Sequence, residues 1–261
     1  MRRWYRKEPS EDDPPHWDEL QEGGGEEDGL PPRYTPARRG IAALVVLALA
    51  LLAAAGLLRA YPFTLPRFVR ESRELAADPV IREAGRAVVH VRALPEGTGP
   101  ERRGSGFNVD ESGLVVTNRH IIDGAAAVIV TFLDGRSLPA STWLIHPSAD
   151  LALLGLEGSS LPTATLSVDP PSPGEDVFIV GNPLDSRGSV VRGTLSSTVT
   201  ARDFPVVVIE TSVYPGSSGS PVFAHDGTVV GVIFASRSEP VAGLAVPVVC
   251  VWDLLEMWDA Q

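Results

Sequence analysis

From Ala87 to Pro247 the sequence repeats one device about every ten residues: a short run of β-branched and aliphatic side chains, then a cluster of Gly, Pro, Asp or Ser. Runs this short, bounded by turn formers, read as strands rather than helices. Strands are predicted over 87–93, 104–109, 113–118, 126–132, 136–145, 151–156, 176–181, 188–198, 205–211, 221–224, 227–235 and 242–247. Asp134-Gly135 and Asp226-Gly227 are tight-turn dipeptides between such runs, and Glu111-Ser112-Gly113 is a looser turn of the same kind. About twelve short strands with turns imply two packed barrels or sandwiches rather than one. After Pro247 the pattern changes. Val248, Val249, Val251, Trp252, Leu255 and Trp258 form one apolar face, expected as a closing helix over 248–259 docked on the second barrel.

The region before the strands has three parts. Residues 1–40 are polar, acidic and rich in Pro and Gly, and cannot bury enough apolar surface to offset their ordering entropy. A disordered tail is expected there, with Trp4, Tyr5 and Trp17 as anchors if it docks on a partner. Residues 41–58 carry no polar side chain. As a helix they would reach roughly 27 Å, close to the hydrocarbon thickness of a bilayer, so a single transmembrane helix is expected. Arginines flank it on both sides and do not decide its orientation; a long domain after a first span is usually translocated. Ala53-Ala54-Ala55 could be read as a signal-peptidase site, but forty polar residues precede the apolar run, which favours an uncleaved anchor. Residues 59–80 are a stem with rigid, aromatic Tyr61-Pro62-Phe63 and Leu65-Pro66 and a short helix from 67 to about 77, and a second helical turn follows from Ile81 to Arg86.

Several function classes fall away. The formal charge of −11 argues against nucleic acid as a partner, because phosphate binding needs a basic footprint. Cys250 is the single cysteine, sits in an apolar run, and reads as a small buried hydrophobe. No Cys-x-x-Cys, His-Glu-x-x-His or tight acidic cluster follows a metal-ligand spacing, so neither metal nor cofactor is expected.

Three stretches can carry chemistry. Gly104-Ser105-Gly106-Phe107 through Val115-Val116-Thr117-Asn118-Arg119-His120-Ile121-Ile122 puts a histidine at the mouth of a strand. Ser148-Ala149-Asp150-Leu151-Ala152-Leu153-Leu154 puts a carboxylate at a strand entrance. Tyr214-Pro215-Gly216-Ser217-Ser218-Gly219-Ser220-Pro221 puts a serine between glycines on a tight loop, where backbone N–H groups can converge on one point. A serine hydroxyl is a weak nucleophile that needs a base, and the base needs an orienting acid. Each feature alone has a structural explanation. His90, His146 and His225 are read as structural.

Together the three motifs resemble those of the HtrA (Deg) family, trypsin-like serine proteases of the chymotrypsin fold, in the order His, Asp, Ser. Gly181-Asn182-Pro183 and Gly243-Leu244-Ala245-Val246-Pro247 are similar to two further signatures of that family, and the resemblance covers roughly residues 80–255. It implies an all-β domain of two six-stranded antiparallel β-barrels with a C-terminal helix, assigned to residues 81–261. It implies Ser218 as nucleophile, His120 as base, Asp150 as the acid that orients it, and the N–H groups of Gly216 and Ser218 as the oxyanion hole. It implies polypeptide substrates, with Ser212 at the base of the specificity pocket and Ile233, Phe234 and Ala235 along its wall. Without an acid near Ser212, cleavage is expected after small or medium apolar residues. Ser220 departs from the family, where glycine is usual two residues after the nucleophile. Family members also carry PDZ modules, for which no room is expected before Gln261, and form trimers, for which Tyr61, Phe63 and Phe68 are candidate contacts. The expected protein is a membrane-tethered serine endopeptidase outside the cytoplasm, acting on unfolded or exposed segments. The alternatives are an inactive, chaperone-like peptide-binding module on the same fold, and a latent enzyme whose loops 183–190 and 212–217 order only on activation.

Overall fold

A computed structural model of the chain describes residues 45–49, 52, 64–169, 172–182, 188–201 and 204–260, with residues 64–69 described by their backbone alone. The chain divides into two units, Met1–Pro62 and Phe63–Gln261. In the first unit, residues 45–49 and 52 are helical, and the side chains of 45–49 are exposed. The tail expected over 1–40 and most of the apolar run 41–58 lie outside the described residues, as do Tyr61, Phe63 and the side chain of Phe68. Among the described residues no helix is long and apolar enough to cross a membrane.

The second unit opens with helices α1 (Thr64–Leu75) and α2 (Pro79–Ala84) and a 3₁₀ turn, Gly85–Ala87. Asp78 caps α2, its Oδ1 accepting from the N–H of Val80 at 2.8 Å and of Ile81 at 3.2 Å, while Pro79 takes the first helical position. The stem expected over 59–80 is therefore in part packed structure. The Val190 N–H donates to Ser72 Oγ at 2.8 Å, and Ile81 is buried in the core that follows.

Six strands close the first barrel: β1 (Val88–Pro95), β2 (Arg102–Asp110), β3 (Leu114–Thr117), β4 (Ala125–Phe132), β5 (Ser137–Ile145) and β6 (Ala152–Leu156). A helical turn, α3 (Arg119–Ile122), separates β3 from β4. Six more close the second: β7 (Asp176–Gly181), β8 (Ser189–Ala201), β9 (Phe204–Glu210), β10 (Pro221–Phe223), β11 (Val229–Ser238) and β12 (Val241–Pro247). All pairings are antiparallel, and the strand orders β1-β2-β3-β6-β5-β4 and β7-β8-β9-β12-β11-β10 are the same connectivity used twice.

The two Asp-Gly turns show the repetition at the level of atoms. Gly135 (φ 93°) and Gly227 (φ 84°) take the left-handed conformation that glycine tolerates without a Cβ clash. Each preceding aspartate accepts the N–H two residues on at 2.9 Å, from Arg136 to Asp134 and from Thr228 to Asp226.

Apolar side chains fill three places. Val89, Val91, Val115, Val130 and Leu154 fill the first barrel. Val177, Ile179, Leu195, Ile209 and Ile233 fill the second. Val88, Phe107, Leu153, Phe178, Phe223 and Leu254 fill the seam between the barrels and under the last helix. β6 is apolar without alternation because both its faces are covered, Ala152 and Leu154 from inside the barrel and Leu153 from the seam. Helix α4 (Val249–Asp259) closes the seam. It docks on both barrels rather than on the second alone: the Val248 N–H at its start donates to the Val230 carbonyl at 3.1 Å, Val251 and Leu254 enter the shared core, and Trp258 lies on the first barrel. The reason is Gly155 on β6, where an added Cβ would come within 2.9 Å of the Trp258 ring.

Candidate active site

The acid–base pair belongs to the first barrel. β3 ends at Thr117, and Asn118 leads into α3, which carries His120. Asp150 stands in the loop between β5 and β6. Both of its carboxylate oxygens face the histidine: Oδ1 accepts the His120 backbone N–H at 2.9 Å, and Oδ2 lies 2.6 Å from Nδ1. An ionised carboxylate only accepts hydrogen bonds, so the ring hydrogen resides on Nδ1 and the Nε2 lone pair is left for chemistry. Asn118 Nδ2 adds a bond to the Asp150 carbonyl at 2.7 Å.

His146, read from the sequence as structural, shapes the loop that carries Asp150. Its Nδ1 accepts the N–H of Ala149 at 2.8 Å and of Ser148 at 3.2 Å, and its own N–H donates to the Leu151 carbonyl at 3.0 Å. This turn needs neutral imidazole as the acceptor. Burial holds the His146 pKa below the ordinary histidine range, against a smaller opposing pull from Asp253.

The serine belongs to the second barrel and is built by two consecutive tight turns. The Ser217 N–H donates to the Tyr214 carbonyl at 3.1 Å, and the Ser220 N–H donates to the Ser217 carbonyl at 3.0 Å. Gly216 (φ 93°) and Gly219 (φ 81°) each occupy the third position of a turn, where type II geometry requires positive φ. The Gly219 N–H donates to the Ile233 carbonyl at 2.7 Å. Among the described residues, the N–H groups of Gly216 and Ser218 have no acceptor, whereas those of Ser217 and Gly219 are used. Ser218 itself is half-buried.

The two sets of residues meet at β2. The Ser105 N–H donates to the Ser218 carbonyl at 2.7 Å, and the Ser105 hydroxyl donates to the Gly216 carbonyl at 2.9 Å. Thr117 Oγ1, three residues before His120, donates to the Ser105 carbonyl at 2.8 Å. Gly219 fits because a Cβ there would collide with the Ser105 carbonyl and lie 2.8 Å from Thr117 Oγ1. Ser105 and Thr117 lie in the first stretch singled out from the sequence, but no role was foreseen for either, because the serine turn that Ser105 holds is more than a hundred residues away.

Ser220 keeps its place without a special dihedral. It is fully buried, and its side chain fills the space a Cβ on Gly181 would need. The Ser220 Oγ finds no partner among the described residues.

The four residues expected around the specificity pocket separate. Ser212 is exposed on the loop before the serine turns, and Ala235 is half-buried. Ile233 is buried inside the second barrel with its Cδ1 3.5 Å from where a Cβ on Gly243 would stand, and its backbone braces the serine turn, donating to the Ser220 carbonyl at 2.9 Å. Phe234 packs against the seam core. The cause is a register shift between Ile233 and Ala235 where β11 pairs with β12, which breaks the alternation of faces. Val213 and Gly243, not foreseen, lie together, since a Cβ on Gly243 would come within 2.7 Å of Val213. Among the described residues no group of His, Cys, Asp and Glu could hold a metal ion.

A closed double barrel, with a carboxylate-bound histidine from one half and a serine in glycine turns from the other, defines the chymotrypsin-like class. Residues 104–232 match the model of the trypsin-like peptidase domain. A Synechocystis protein bearing the name serine protease HhoB is 30% identical over 234 residues, covering 76% of this chain and 56% of that protein. A Halomonas elongata protein named "Probable periplasmic serine endoprotease DegP-like" is 36% identical over 173 residues, covering 62% of this chain and 36% of that protein. The serine endoprotease of Yersinia pestis superposes with a TM-score of 0.61 at 26% identity, covering 68% of this chain and 64% of that one. The active form of the Rv3671c protease of Mycobacterium tuberculosis shares the fold, with a TM-score of 0.63 at 24% identity and coverage of 70% and 85%. The double barrel is a trypsin-like serine protease domain of the HtrA/DegP family. The chain spans about half the length, or less, of the first two named relatives.

Proposed function

We propose that the protein is a serine endopeptidase that cuts exposed or unfolded polypeptide segments through an acyl-enzyme. The observation that carries this reading is the two-point grip of Asp150 on His120, which leaves Nε2 as the ring's basic atom, in a barrel stitched to the serine turn. His120 Nε2 takes the Ser218 proton as Oγ attacks the scissile carbonyl. The N–H groups of Gly216 and Ser218 bind the oxyanion, and the imidazolium, stabilised by Asp150, returns the proton to the leaving amine. Water then repeats the sequence to release the acyl group.

The specificity pocket is bounded by Ser212, Val213 and Gly243, and residues 211–217 include no acid. A basic side chain would lose its hydration there without a partner, so cleavage follows small or medium apolar residues. Residues 41–58 tether the domain to a membrane, with the barrels outside the cytoplasm. The support is the unbroken apolar run, together with the periplasmic location in the name of the Halomonas relative.

A fluorophosphonate probe tests the central point. It is expected to label the full chain at Ser218 and to lose that label in Ser218→Ala. An unlabelled but folded wild-type protein would overturn the peptidase reading. Carbonate extraction of expressing cells tests the tether: release of the full chain with soluble protein would remove it.

A further inference from the structure

Two peptide units of the serine turn are each held at both ends. The Gly216–Ser217 unit gives its N–H to the Tyr214 carbonyl at 3.1 Å and accepts the Ser105 hydroxyl on its carbonyl at 2.9 Å. The Ser218–Gly219 unit gives its N–H to the Ile233 carbonyl and accepts the Ser105 N–H on its carbonyl, both at 2.7 Å. One residue of the other barrel therefore secures both carbonyls, once with its backbone and once with its side chain. The N–H groups of Gly216 and Ser218 lie next to these clamped units and have no acceptor among the described residues.

The Ser105 hydroxyl has no freedom to do otherwise. The residue is fully buried, so water cannot replace its partners. The Asn182 N–H donates to its Oγ at 3.0 Å, which directs its single proton to the Gly216 carbonyl. Asn182 is itself anchored to the first barrel, Nδ2 donating to the Val89 carbonyl at 2.9 Å. Removing the hydroxyl leaves a carbonyl and an N–H unpaired in a dry setting, and the turn recovers partners only by moving.

We propose that Ser105 is the positioning residue of the oxyanion hole: its hydroxyl and its N–H together fix the serine turn so that the Gly216 and Ser218 N–H groups meet the reacting carbonyl. This rests on the peptidase reading. It adds that the geometry of the second barrel's hole is set by a side chain of the first. Ser105 touches neither substrate nor reacting atoms, so its effect belongs to the transition state rather than to substrate binding.

The test uses the full chain with Ser105→Ala, Ser105→Cys and, as a control, Ser72→Ala, which removes another buried serine hydroxyl that accepts a backbone N–H away from the site. Fluorophosphonate labelling of the wild type is measured first; no label at Ser218 overturns the peptidase reading and this inference with it. With labelling present, Ser105→Ala is expected to lower kcat about 10- to 100-fold, less than the ~10²–10³ typical of deleting a hole donor, with KM within about twofold. Affinity for a peptide aldehyde, which mimics the oxyanion, is expected to fall by the same factor, while affinity for a product-like peptide stays constant. Ser72→Ala is expected to lower Tm with kcat unchanged. If Ser105→Ala does not fold, the near-isosteric but weakly donating Ser105→Cys gives the same comparison. Wild-type kcat and aldehyde affinity in the folded variant would overturn the proposal and leave the peptidase reading standing, as would equal weakening of aldehyde and product peptide.

Discussion

The two barrels share one connectivity but hold their functional groups by different means. The first barrel keeps its pair together by itself. His120 on the turn α3 and Asp150 on the loop before β6 stand beside the neighbouring strands β3 and β6, and among the described residues the bonds that orient them come from within that barrel. The second barrel makes the serine turn but does not complete it, because Ser105 of the first barrel takes both carbonyls. A proton relay tolerates a local solution, since a carboxylate and an imidazole need only face one another. An oxyanion hole requires main-chain N–H groups at fixed angles, and a glycine-rich turn cannot hold such angles without outside bonds.

The sharpest way to break this comparison is to disable one group from each barrel. Ser218→Ala and Asp150→Asn are each expected to lower kcat about 10⁴-fold or more. The double variant is expected to be little worse than Ser218→Ala alone, since the groups act as one unit. Steady-state kinetics on a peptide amide checks this, and additive losses would mean that the barrels do not work together.

A smaller effect concerns the seam. Gly181→Ala forces a Cβ into Ser220 and is expected to cost about 1–3 kcal/mol, read by urea melts. Adding Ser220→Gly is expected to recover most of it, because it removes the side chain that the new Cβ meets. Ser220→Ala alone removes a buried hydroxyl that lacks a partner among the described residues, and is expected to be neutral or slightly stabilising. A large loss in that variant would reveal a partner for the hydroxyl.

The smallest effect tests the self-sufficiency of the first barrel. His146 has its pKa depressed in the folded protein, so the unfolded chain binds the extra proton more readily. Its contribution to stability is complete above the ordinary histidine range and is lost as pH falls through the lower, folded value. His146→Asn keeps an acceptor for the Ser148 and Ala149 N–H groups but does not titrate. The variant is expected to flatten the decline of Tm as pH falls below the ordinary histidine range. An unchanged slope would remove His146 as the pH-sensitive part of the Asp150 loop.

Much of this was legible along the chain because it is local. The twelve predicted strands match the twelve observed among the described residues, with ends that differ by a few residues. The Asp-Gly turns, the strand-end position of His120 and the glycine-flanked Ser218 depend on neighbours within a few residues. The roles of Ser105 and Thr117 were not legible, because hydrogen bonds across the seam leave no periodic trace in sequence. Which way Ile233 and Phe234 face was not legible, because alternation gives two faces only while register holds, and β11 shifts there.

The sequence alone determined the number of strands, the turns between them, and the order in which a base, an acid and a hydroxyl follow one another. Tertiary structure decided which apolar face fills a barrel and which fills the seam, because both destinations are equally dry and hydrophobicity cannot tell them apart. It also decided that Trp258 lies on Gly155, that Gly181 accommodates Ser220, and that one serine of the first barrel fastens the nucleophile turn of the second. Each of these is a contact between residues far apart in the chain, fixed by close packing once both barrels have closed.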